Sequence, residues 1–236
     1  MANILNIETA TEVCSVTLSR NGETLFQKEN AEGLNHSQLL SVFIEGLFKT
    51  NGVGLNGLDA VAVSKGPGSY TGLRIGVSVA KGLCYGLNIP LISVGSIEAM
   101  GYYMSANYTE YYSGDRDNVL YCPMIDARRM EVYTTLFNSR GENLLPVSAE
   151  IIDENSFGEY LGKHRILFFG NGAEKCRSKL THPNALFLGP EKTSARFMQK
   201  LSEDKYNKRE FENVAYFEPF YLKDFVATIP KNKVLK

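Results

Sequence analysis

Histidine is scarce and poorly spaced for metal chemistry. The three present, His36, His164 and His182, include no pair four residues apart, so no helix can turn two imidazoles toward one ion. The four cysteines (Cys14, Cys84, Cys122, Cys176) are equally scattered and form no C-x-x-C pair. Together these absences argue against a zinc site, a redox dithiol and a disulfide scaffold, and the thiols read as reduced and mostly buried. No apolar run approaches the roughly 20 residues that a membrane span needs. Residues 1–8 lack the basic and apolar regions of a secretory leader, so a soluble cytoplasmic protein is expected. Excess charge is missing too: Lys plus Arg is 25 and Asp plus Glu is 26, for a formal net charge of −1. Such a chain has no bulk attraction to nucleic acid or to an acidic membrane. Lys231, Lys233 and Lys236 read as a solvated tail, so weak RNA binding by the chain alone is expected.

What is present is an ordinary globular composition, 44% hydrophobic and 22% charged over 236 residues, enough for one large domain or two lobes. The first 30 residues are β. Residues 4–7 are apolar, and residues 13–19 set Cys14, Val16 and Leu18 against Ser15, Thr17 and Ser19. Asn21-Gly22 is a tight-hairpin pair, and residues 24–28 return as the partner strand. A helix follows, with Asn35 at its cap and Gln38 in the capping-box position. Leu40, Phe43, Ile44, Leu47 and Phe48 form one apolar stripe, which Leu39 and Val42 widen beyond what a single sheet requires.

Residues 58–63 read as a buried strand, left through Gly-Pro-Gly-Ser-Tyr-Thr-Gly at 66–72. The helix expected over 73–88 carries two small-residue seams, Gly72, Gly76 and Ala80 on one and Gly82 and Gly86 on the other. Each interior glycine costs about 1 kcal/mol relative to alanine, so the spacing predicts close backbone approach along both seams. Residues 90–94 form a further strand, and Ser96 is expected to cap a helix over 97–105. The stretch 102–118, rich in Tyr, Ser, Gly and Asp, is the best boundary between lobes.

After that boundary the pattern begins again. Glu8 closes the first strand of a unit whose hairpin reads Gly-Glu-Thr-Leu at 22–25. Asp126 closes a similar one, with Gly-Glu-Asn-Leu at 141–144. Likewise residues 58–63 lead into Gly66-x-Gly68, and residues 165–169 lead into Gly170-x-Gly172. The period is too long for a solenoid. It implies two copies of a β-β-β-α-β-α unit facing each other across a cleft, the second with shorter helices over 153–163 and 173–179.

Three kinds of cleft chemistry can be weighed. Glycine turns that feed helices offer N–H groups to an anion, but the phosphate-loop order of Lys and Ser/Thr is missing. Ser69 lies outside any G-x-S-x-G elbow, so with Thr71 it reads as a cap and turn residue. Glu8 and Asp126 are either paired acids holding Mg²⁺ near a nucleotide or strand-end acids that cap neighbouring turns. A protease would need a metal pair or a triad, and neither is legible.

At residues 66–76, Gly-Pro-Gly-Ser-Tyr-Thr-Gly-Leu-Arg-Ile-Gly, the sequence closely resembles the TsaB (YeaZ) family of bacterial tRNA threonylcarbamoyladenosine biosynthesis. The opening strand pair at 4–18, Asn-His-Ser at 35–37 and Met-Ile-Asp-Ala-Arg-Arg-Met-Glu-Val-Tyr at 124–133 are similar to the same family. Glu8 departs from the family's more usual Asp.

The resemblance implies an α/β fold of two ribonuclease-H-like lobes, of the actin/Hsp70/sugar-kinase type, with the second lobe reduced. The expected lobes are residues 1–112 and 113–236. It further implies a non-catalytic dimerisation subunit that pairs with a TsaD-like catalytic subunit and a TsaE-like ATPase and meets tRNA only through the complex. The complex would modify N6 of adenosine 37 in tRNAs reading ANN codons. The implied partner interface is His36, Leu39, Leu40, Phe43, Leu47, Gly72, Arg74, Ile75, Gly76, Val79 and Ala80, and the chain alone is expected to form a homodimer. The candidate nucleotide cleft is Glu8, Thr9, Ser69, Tyr70, Thr71, Asp126, Gly170 and Gly172. No cofactor is expected to be held tightly, with ATP and Mg²⁺ belonging to the complex. The alternative is an independent small ATPase or kinase using Glu8 and Asp126.

Overall fold

The computed structural model describes residues 2–33 and 35–223. Strands β1 (Asn3–Glu8), β2 (Cys14–Arg20) and β3 (Glu23–Asn30) precede helix α1 (His36–Asn51). Then come β4 (Ala60–Gly66), α2 (Tyr70–Leu87), β5 (Leu91–Gly95) and α3 (Ser96–Ala106). The second half holds β6 (Val119–Asp126), β7 (Glu131–Thr134), β8 (Ser148–Ile151), α4 (Gly158–Leu161), β9 (Arg165–Phe169), β10 (Ala185–Leu186) and α5 (Gln199–Lys208).

The two halves repeat one topology. The first sheet runs β3-β2-β1-β4-β5 and the second β8-β7-β6-β9-β10. In each, the first three strands are antiparallel neighbours, the fourth pairs parallel to the first and the fifth parallel to the fourth. The duplication legible in the sequence is therefore an architectural one, down to the turns. Gly66 and Gly170, at φ +100° and +98°, start equivalent loops after β4 and β9. A Cβ on Gly68 would lie 2.2 Å from the Ala10 carbonyl, and one on Gly172 would lie 2.9 Å from the Asp126 nitrogen. Each lobe thus uses its second glycine to bring a loop against the end of its own first strand.

Side-chain alternation along the strands sorts the core. Leu5, Ile7, Val61 and Val63 face α1 and α2 in one cluster. Ile4, Ala60, Ala62, Ile92 and Val94 face the other way and join Ile97, Met100, Tyr121, Phe137 and Phe169 in a second cluster that continues into the second sheet through α3. Helices of the second lobe are shorter than residues 153–163 and 173–179 suggested: α4 has 4 residues and 174–176 is a single 3₁₀ turn.

The chain after residue 194 leaves the second sheet, which the expected boundary of 113–236 did not foresee. Helix α5 packs on β1, β3 and β5, and the Ser202 hydroxyl donates to buried Asn6 at 2.7 Å. Glu212 then bridges to Leu91, covering the free edge of β5. Asn6 on β1 and Ser93 on β5, polar residues in otherwise apolar strands, receive this returning segment.

Candidate functional site

The cleft lies where β1 and β6 end. A cavity of about 470 Å³ is lined by Thr11, Glu12, Ser69, Tyr70, Thr71, Asp126, Arg128 and Asn171, with Tyr221 and Lys223 on its outer wall. Asn171 donates to Glu12 at 2.8 Å and ties the lobes together at its floor. Ser69 does what its position predicts: its Oγ accepts from the Gly72 N–H at 3.3 Å and starts α2.

Glu8 is not part of this cavity. Its side chain is buried, one oxygen accepting from the Ala10 N–H at 2.6 Å and the other from the Ser96 hydroxyl at 2.9 Å. Burial holds the carboxyl above its ordinary range despite those bonds. Thr9 is buried behind the cleft, its Oγ1 lacking a hydrogen-bond partner among the described residues. Asp126 does reach the cleft, but Lys175 neutralises it with a direct ion pair and its Oδ1 accepts from the Arg128 N–H at 2.8 Å. Gly170 and Gly172 shape the loop behind Asp126 and offer the cleft no side chain. The paired-acid reading is thereby corrected: one acid is locked in the core and the other is already paired. Two carboxylates turned this way do not fit a magnesium–nucleotide site in this chain. Among the described residues no three His, Cys, Asp or Glu side chains cluster as metal ligands. Arg128, Asn171, Tyr221 and Lys223 were not named by sequence reasoning; the strand-end position of Asp126 pointed toward Arg128 and the Gly170-x-Gly172 turn toward Asn171.

The α1–α2 face divides the other predicted residues. His36, Leu40 and Leu47 are buried beneath α1, with His36 Nε2 3.1 Å from the Val13 carbonyl. Gly72, Gly76 and Ala80 are buried as well. A Cβ on Gly72 would meet the Thr9 carbonyl oxygen at 2.1 Å, and one on Gly76 would meet Thr9 Oγ1 at 2.3 Å. These six residues face inward, so they belong to this lobe's own core and are not available to a partner. Leu39, Phe43, Ile75 and Val79 are half-buried and Arg74 is exposed, its guanidinium lying over the Tyr70 ring at 5.3 Å. Between the helices runs a groove of about 670 Å³ with an apolar floor of Ile44, Phe48, Leu55, Val79 and Leu83. Beside it Val42 is 58% exposed. Gly82 and Gly86 form the open seam, with nothing within 4 Å of a Cβ at either position.

Two equivalent five-stranded lobes around a central cleft define the class, an actin-like two-lobed α/β fold. The comparisons then narrow it. The family profile described as "TsaD: tRNA N6-adenosine threonylcarbamoyltransferase" matches residues 30–231. The tRNA threonylcarbamoyladenosine biosynthesis protein TsaB of Haemophilus influenzae is 27% identical over 95% of this chain and 94% of its own length. That of Escherichia coli K12 is 34% identical over 59% of this chain and 56% of its own. The solved structure of YeaZ from Pseudomonas aeruginosa superposes with a TM-score of 0.76 at 22% identity, covering 94% of this chain and all of that one. The chain belongs to the TsaB (YeaZ) family. No helix among the described residues is long and apolar enough to cross a membrane.

Proposed function

We propose that this protein serves tRNA threonylcarbamoyladenosine biosynthesis as a non-catalytic partner subunit. It pairs with a TsaD-like catalytic subunit through the exposed face of α1 and α2, and the pair is joined by a TsaE-like ATPase. The tRNA, one that reads ANN codons, is met through the complex. The observation that carries this reading is the apolar groove between α1 and α2, with Val42 58% exposed on α1. Apolar surface of this size left open on a helix pair favours burial against a partner. The engaged acids Glu8 and Asp126 support the same reading, because they leave the cleft no free carboxylate pair. Any ATP and Mg²⁺ requirement then belongs to the complex.

The test is light scattering on this chain alone and mixed with the TsaD-like protein of the same source. A homodimer alone that exchanges for a heterodimer is expected, and both should be lost in Val42→Asp/Val79→Asp. That double variant changes the helix surface without touching the buried seam. A heterodimer that persists in the double variant would move the interface elsewhere. Absence of any heterodimer would overturn the proposal.

A further inference from the structure

The last described residues form a strap over the cleft whose two halves are held very differently. Upstream, Val214 and Phe217 pack against the first lobe's core. Lys81 Nζ donates to the carbonyls of Ala215 and Phe217 at 3.1 and 3.0 Å. Beyond Pro219 the fastening is sparse. The Phe220 N–H donates to the Lys65 carbonyl at 2.7 Å, at the end of β4. The Tyr221 ring lies on Tyr70, the first residue of α2, with centroids 5.0 Å apart. Lys223 pairs with Glu131 of β7, in the other lobe.

We propose that residues 220–223 are a releasable clasp, hinged at Pro219, that fastens the lobes to each other and controls entry to the interlobe cleft. Phe220, Tyr221, Leu222 and Lys223 all line the cavity, so the clasp supplies one of its walls. Its grip is partly in solvent. Phe220 and Tyr221 remain 45% and 38% exposed, so closing covers only part of each ring. The Lys223–Glu131 pair is partly solvated and therefore screened by salt. Pro219 has no N–H and contributes no backbone donor where the strap turns away from its firm anchor. Release would free the Tyr70 face, the Lys65 carbonyl and the cleft in one movement. Whatever enters the cleft, or docks beside it, therefore competes with the chain's own segment. This inference does not depend on the partner reading above.

The test uses the full chain carrying Ala127→Cys, a cleft-lining position that is half-buried. Modification by N-ethylmaleimide is followed by mass spectrometry. The four native cysteines are all buried, so they report any loss of folding in the same spectrum. Tyr221→Ser and Lys223→Ser, each in that background, should label the introduced thiol about tenfold faster, with the native thiols silent. The parent should also speed up as sodium chloride is raised to about 0.5 M, where surface pairs are screened. If Tyr221→Ser exposes the native thiols, Lys223→Ser, at the solvated end of the strap, decides the matter alone. Equal labelling rates with the clasp intact and broken would overturn the proposal.

Discussion

Helix α2 contains glycines that should respond in opposite directions to the same substitution. Gly72→Ala places a methyl 2.1 Å from the Thr9 carbonyl oxygen, a backbone atom. Thr9 has little freedom to retreat, because its N–H is held by Ser64 at 3.3 Å and the adjacent Glu8 is bonded at both oxygens. Overpacking of this kind costs about 1–3 kcal/mol. The gain in helix propensity offsets at most about 1 kcal/mol, and less near the helix start. A net loss of about 1–2 kcal/mol follows, which for a chain of this size is a fall of roughly 2–8 °C in Tm. Gly82→Ala and Gly86→Ala meet nothing within 4 Å. Only the propensity gain remains there, about 1 kcal/mol each, or a rise of roughly 2–4 °C. Thermal unfolding followed by circular dichroism, at two protein concentrations to separate folding from association, reads all three. Equal shifts of one sign would refute the assignment of one seam to the core and the other to open surface.

Glu8→Gln removes a carboxyl that burial holds above its ordinary value of 4.5. Ionising it in the folded state is unfavourable, so the wild type loses stability as pH rises through the folded-state pKa. The variant should therefore unfold at higher temperature than wild type at pH 8, with the gap closing as pH falls toward 4.5; a gap independent of pH would contradict the burial argument. Thr9→Val replaces an orphaned hydroxyl with a methyl of similar shape and should stabilise by about 1 kcal/mol in urea titration. Burial pushes the thiols of Cys14 and Cys84 up to about 11, and Cys122 and Cys176 upward as well. A thiol-reactive disulfide at pH 8 should thus find no equivalents in the native chain and four after denaturation. His36→Ala should cost about 1–2 kcal/mol by freeing the start of α1 from the Val13 carbonyl, with no direct effect on the groove.

Most elements of the first lobe were legible because local patterns and tertiary packing agree there. Alternation in β2, the hairpin pair Asn21-Gly22 and the 3.6-residue stripe of α1 all describe one face against one core. Where they failed, a tertiary partner had taken over the local group. Ser96 is the first residue of α3, not its cap, because its hydroxyl is spent on Glu8. The α1 start has no side-chain cap bond at Asn35; His36 anchors it to the β1–β2 turn. Close approach along the glycine seams was read correctly for Gly72 and Gly76 and wrongly for Gly82 and Gly86, which meet nothing within 4 Å, and a sequence does not say whether the approaching atoms are foreign or the chain's own. The return of residues 195–223 to the first lobe was invisible for a related reason: its signals are the buried Asn6 and Ser93, polar residues in apolar strands whose partners lie over a hundred positions away. The basic tail at Lys231, Lys233 and Lys236 falls outside the described residues.

The two strand-end acids show how a duplicated scaffold builds the same turn twice and places its charge differently in each lobe. Glu8 and Asp126 make the same local bond, each accepting from the N–H two residues on, at 2.6 and 2.8 Å. That shared bond closes the turn after the first strand in both lobes, so either residue would be retained for folding alone. What differs is the carboxylate's second partner, which in Glu8 meets the other oxygen and in Asp126 meets the same Oδ1. In the first lobe the longer side chain reaches back to Ser96 at the start of α3, and the charge is withdrawn from the cleft. In the second, the shorter side chain stays at the mouth and is neutralised by Lys175, which also donates to the Glu131 carbonyl at 2.7 Å. Lys175 thereby fixes the strand β7 to which the clasp's Lys223 is fastened. Acid, lysine, strand and clasp thus form one connected set of polar contacts around the cleft, and release of the clasp at Lys223 would leave the contacts of Lys175 with Asp126 and with β7 in place. With both acids engaged the cleft offers no free carboxylate pair, which supports the partner-subunit reading proposed above.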